Sequence, residues 1–106
     1  MGKYLLHANY VGEGLKGLLK EGGTARRASA EKAVKSVGGT IEAFYYAFGE
    51  TDAYVIVDVP DNASMAALAT TIGASGAVRI TTTVLITPEE MDAVTKKTPT
   101  YRAPGQ

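Results

Sequence analysis

The chain has 106 residues, 11 basic and 11 acidic side chains, 45% hydrophobic residues, one histidine, and neither cysteine nor tryptophan. That content fits one small globular domain. The zero formal net charge supplies no general attraction to a phosphate backbone, so nucleic-acid binding is not expected. Without cysteine there are no disulfides, thiolate nucleophiles or cysteine-based zinc and iron–sulfur sites, and one histidine excludes a multi-histidine metal centre within one chain. No apolar stretch approaches the roughly 18–20 residues of a membrane helix, and the first residues lack the regions of a signal peptide. A soluble, cytoplasmic protein without a metal or a membrane partner is the expectation.

Lys3 to Tyr10 alternates Tyr4, Leu6, Ala8 and Tyr10 against Leu5, His7 and Asn9, the period-2 pattern of a strand. Val11, Leu15, Leu18 and Leu19 then recur at helical spacing up to Gly22-Gly23. A second helix, with Thr24 as its expected cap, carries Ala30, Ala33, Val34 and Val37 on one face and stops at Gly38-Gly39. Thr40–Phe48 and Asp52–Val59 are rich in aromatic and β-branched residues and flank Gly49-Glu50-Thr51, which predicts an antiparallel hairpin. Pro60-Asp61-Asn62 breaks the strand and caps a third helix bearing Met65, Leu68, Ala69 and Ile72. Val78–Ile86 is a fourth strand, and Thr87-Pro88-Glu89-Glu90 is a capping box for a short helix with Met91 and Val94. Residues 1–97 therefore read as one domain, and residues 98–106 as a flexible tail with little to bury.

This order is that of an α+β, ferredoxin-like β-α-β-β-α-β sandwich: a four-stranded antiparallel sheet with its helices on one face. If the helices cover Leu6, Ala8, Val55, Val57, Ile80, Val84 and Ile86, alternation puts Leu5, His7, Asn9, Asp52, Tyr54, Ile56, Asp58, Arg79, Thr81, Thr83 and Leu85 on the open face. Glu42, Phe44, Tyr46 and Phe48 are expected beside them, with Tyr45 replacing Tyr46 if a bulge lies near the hairpin. Such an aromatic and aliphatic patch calls for a cover, and a second copy stacked sheet to sheet supplies one.

The run from Gly38 to Asp61, with its double glycine, aromatic strand, Gly49-Glu50-Thr51-Asp52 turn, apolar strand and Pro60-Asp61 break, resembles the GYD domain family of small bacterial and archaeal proteins. The resemblance covers most of residues 3–90, and Thr51 stands where the family has the tyrosine of its name. It implies a ferredoxin-like fold of the dimeric α/β-barrel type. Related barrel families include cofactor-independent monooxygenases, haem-degrading enzymes, isomerases and amino-acid-sensing domains, a fold-level analogy only.

Within the expected chamber, His7 is the candidate catalytic base, histidine being the one side-chain type whose unperturbed pKa lies near neutrality, with a packing histidine as the alternative. No cofactor is expected; His7 offers one axial nitrogen to a haem, and no other residue points to iron. His7, Asn9, Tyr46, Tyr54 and Arg79 form the candidate ligand-binding set, the tyrosines orienting a carbonyl or phenol and Arg79 gripping a carboxylate or pairing with Asp52 or Asp58. Gly49, Glu50 and Asp52 form the turn motif, whose carboxylates serve as acid and base or cap backbone N–H groups. Arg26-Arg27 reads either as an anion-holding or as a solvated helix start. The leading expectation is a homodimer or higher homo-oligomer that binds a small, partly aromatic or carboxylated molecule beside the open face. A His7-dependent monooxygenase- or isomerase-like enzyme and an assembly module without a ligand are the alternatives.

Overall fold

The computed structural model describes residues 2–106. Its elements follow in the order β1 (Gly2–Tyr10), α1 (Glu13–Glu21), α2 (Gly23–Ser36), β2 (Thr40–Tyr46), β3 (Ala53–Val59), α3 (Asn62–Ala74), β4 (Val78–Leu85) and α4 (Pro88–Thr95). The strands form one antiparallel sheet in the order β2-β3-β1-β4, so the fold is ferredoxin-like with one face of the sheet left open. On the other face Tyr4, Leu6, Val55, Val57 and Val59 pack against Val34 of α2 and Met65 and Leu68 of α3.

Local chemistry fixes the element ends. Pro60 lacks the N–H needed to extend β3, and the Asp61 carboxylate accepts a hydrogen bond from the Ser64 N–H at 2.8 Å. That bond holds the Asp61 carboxyl below its ordinary pKa. Thr87 and Glu90 form a reciprocal capping box, with Pro88 beginning α4. At the end of α2, Gly38 takes a φ of +82° and the Gly39 N–H closes on the Val34 carbonyl at 3.0 Å. Gly39 is required for a different reason: a Cβ there would lie 2.5 Å from Val59 Cγ1 and 2.7 Å from the Asp58 carbonyl oxygen.

Three expectations are corrected. Thr24 lies inside the first turn of α2, and Gly22 occupies the N-cap without a side-chain hydrogen bond. A bulge between Ile41 and Ala43 makes Glu42 an extra residue, so Ala43 faces Ile56, Phe44 faces Val55 and Tyr46 faces Ala53. Phe44 and Tyr46 therefore turn toward the helices and Tyr45 takes the open-face position opposite Tyr54. The bulge sits at the start of the strand, not at the hairpin end. Phe48 lies beyond β2 in the connecting loop, fully exposed. Finally, Val84 and Ile86 are exposed rather than covered by the helices, Val84 lying in an open recess with Tyr4 and with Asn62, Met65 and Ala69 of α3. Met91 and Val94 of α4 are exposed as well, and residues 98–106 form neither helix nor strand.

Candidate functional site

The antiparallel registers place side chains in rows across the open face. Tyr45, Tyr54, His7 and Thr81 lie opposite one another from β2 to β4, and the neighbouring row runs Ala43, Ile56, Leu5 and Thr83. His7 is half-buried and meets Tyr54 edge to face, with ring centroids 5.2 Å apart at 68°. Tyr45 is 72% exposed and Tyr54 40%. At one end of the face Lys3 bridges Glu42 and Asp58, and the two carboxylates raise its pKa.

Of the five residues expected to bind ligand, His7, Asn9, Tyr54 and Arg79 share this face. Asn9 and Asp52 serve the backbone. The Asn9 side-chain oxygen accepts from the Asp52 N–H at 3.1 Å, and the Asp52 carboxylate accepts from the Tyr10 N–H at 3.0 Å. The end of β1 is thereby tied to the hairpin loop, so the capping reading of the turn carboxylate holds for Asp52. Arg79 lies on β4, separated from β3 by β1, where its neighbour is Asn9. Its expected partners are engaged elsewhere: Asp58 with Lys3 and Asp52 with Tyr10.

Tyr46 belongs to a second constellation, on the helix side. Its hydroxyl donates to the Gly23 carbonyl at 2.9 Å, and its ring meets Phe44 edge to face at 5.0 Å. Partial burial and the neighbouring Tyr10 phenol push its pKa up to about 12, opposed by the nearby Arg26 guanidinium. Tyr10 and Arg26 line the mouth of a cavity of about 120 Å³ between α2 and the sheet. Its origin is visible in residue size. Ala8 and Ala53 are directly paired on β1 and β3, Ala30 and Ala33 face them from α2, and Phe44, Val55, Leu68 and Ile72 enclose the remainder. Arg26 is the one charged residue in this lining; Ser29 and Tyr10 are its other polar members. Beyond Tyr10 and Arg26 a second recess of about 180 Å³ carries Glu13 and Glu21, and Glu21 pairs with Arg26 at 3.4 Å.

Sequence reasoning missed this cavity. Its signal was the coincidence of Arg26, Ala30 and Ala33 at i, i+4 and i+7 with alanines on two adjacent strands, which leaves side-chain volume short on both walls. Among the described residues, no group of three or more His, Cys, Asp or Glu side chains is placed to hold a metal ion. Among the same residues, no helix is long and apolar enough to cross a membrane.

The geometry defines an α+β sandwich with an aromatic open sheet face on one side and an apolar cavity beneath the helices on the other. The chain belongs to the GYD domain family, whose model matches residues 4–95. No curated protein and no solved structure matches it significantly.

Proposed function

We propose that the protein is a homodimeric small-molecule binder: two copies stack their open sheet faces as a dimeric α/β barrel, and each holds a small, largely apolar molecule in the cavity between α2 and the sheet. The observation that carries the ligand half is the cavity itself. Interiors of small domains are packed to crystal-like density, and four alanines facing one another across this layer leave room that Leu or Ile would close. The relevant pocket is thus on the side of the sheet opposite His7.

The dimer half rests on the composition of the open face. Tyr45, Tyr54, Ile56, Leu5 and Leu85 form an apolar surface interrupted mainly by threonines, with charge confined to the Lys3 cluster at one end and to Arg79 and the backbone-bonded Asp52 at the other. A two-fold axis through such a face sets one apolar surface against the other and removes the rings from water.

The test has two arms. Light scattering at micromolar concentration is expected to give twice the chain mass of 11.1 kDa. A thermal-shift screen of compact apolar compounds is expected to find stabilising ligands that an Ala30→Leu variant no longer recognises. A monomer overturns the pairing, and ligands that stabilise both proteins equally overturn the cavity as their site.

A further inference from the structure

We infer that the cavity under α2 takes a small carboxylic acid with a single-ring or short branched apolar body, its carboxylate held at the mouth by Arg26. The inference rests on the reading of that cavity as the ligand site and specifies the chemistry of what enters. Size sets the body: a dry cavity of roughly 150 Å³ holds one benzene ring, and the space here is about 120 Å³. A fused bicyclic or a long chain would have to displace core side chains.

Charge sets the head group. A molecule seated among Ala30, Ala33 and Phe44 presents its outer end to Arg26, the lone charged residue of the lining. A guanidinium offers five donors in a planar fork suited to a carboxylate. Here the Glu21 contact engages Nη1 alone, at 3.4 Å between partly exposed groups, the kind of ion pair that contributes little. Tyr10 stands beside it with a phenol as a further donor. Tyr46, titrating at about 12, stays neutral near pH 7 and adds no competing negative charge. Glu13 and Glu21 favour a cation instead, but neither belongs to the lining of the cavity; they line the adjoining recess, which shares Tyr10 and Arg26 with it.

The experiment compares three ring compounds of nearly equal size, benzoate, benzamide and benzylamine, by ligand-observed NMR titration of the full chain near pH 7. Benzoate is expected to bind at least tenfold more tightly than benzamide, and Arg26→Gln to lower benzoate affinity to the benzamide level while leaving benzamide unchanged. Added salt should narrow the gap between the two. Equal binding of benzoate and benzamide, or tightest binding of benzylamine, overturns the carboxylate assignment while the cavity reading stands. Failure of all three to bind at millimolar concentration removes both. Equal losses of benzoate and benzamide binding on Arg26→Gln would show a packing role for Arg26 and likewise overturn the assignment.

Discussion

Replacing Ala30 by leucine fills the cavity from the α2 side, and the structure sets both the sign and the size of the outcome. Leucine adds three carbons to a wall whose opposite side is Ala8 and Ala53. At about 0.8 kcal/mol per buried CH₂, complete burial contributes roughly 2.4 kcal/mol. The side-chain entropy lost on ordering a leucine, about 0.5–1 kcal/mol, leaves a net gain on the order of 1.5 kcal/mol. Helix propensity shifts little, since alanine and leucine are both strong formers. In a domain of this size such a gain raises the melting temperature by roughly 6–12 °C. Denaturant titration of wild type and variant gives the free-energy difference, and calorimetry the temperature. A stabilised protein that has lost its cavity ligand is the expected result, a trade of binding for stability. Destabilisation by more than about 1 kcal/mol is the overpacking signature; it would show that the space cannot accept three carbons and would refute the volume argument.

Gly39→Ala should cost about 1–3 kcal/mol or more, because the new methyl meets a carbonyl oxygen at 2.7 Å as well as Val59, whereas Gly49→Ala, with open space around it, should stay within about 0.5 kcal/mol. Equal melting temperatures for the two variants would contradict the close approach of Gly39, in the α2–β2 connection, to β3. Asp52→Ala strips the Tyr10 N–H of its partner and should cost about 1–3 kcal/mol by denaturant titration; no change would return that carboxylate to the list of groups free for chemistry. Because the folded pKa of Tyr46 lies above its ordinary value of 10.0, at about 12, its contribution to stability is complete below pH 10 and is lost as pH rises through 12. Ultraviolet titration of the phenolates should therefore lose its latest component in Tyr46→Phe, and an unchanged curve would place the late-titrating phenol elsewhere.

What was legible in the sequence follows from how local each determinant is. The alternation of Tyr4, Leu6 and Ala8 against Leu5, His7 and Asn9 fixes both faces of β1 from neighbouring residues alone, and Asp61, Thr87 and Glu90 act within one helical turn. The faces of β2 are not set locally. One extra residue at Glu42 reverses the orientation of Phe44, Tyr45 and Tyr46, and nothing in the alternation from Thr40 to Tyr46 marks the bulge. The reversal moved Tyr46 away from His7 and toward Arg26, and so split the expected ligand set between two sides of the sheet. The cavity is less local still, since it depends on alanines from β1, α2 and β3 that only the fold brings opposite one another.

The two proposed activities use opposite faces of the same strands: His7 and Ala8 are adjacent on β1, one on the open face and the other turned toward the cavity. A hydrogen-bonded sheet transmits little sideways displacement when a side chain changes on one face, so pairing and ligand binding should be nearly independent. Ile56→Glu tests this directly. Ile56 sits between Leu5 and Ala43 in the middle of the open face, and an unpaired carboxylate buried there in the proposed interface is strongly disfavoured. The variant should be monomeric by light scattering while its affinity for the cavity ligand stays within about threefold of wild type, a coupling below about 0.7 kcal/mol. His7→Ala should likewise leave that affinity unchanged. If either variant abolishes ligand binding while remaining folded by circular dichroism, the ligand lodges at the open face or needs the paired sheets. The division of labour between the two faces would then be wrong, whatever the mass of the wild-type protein.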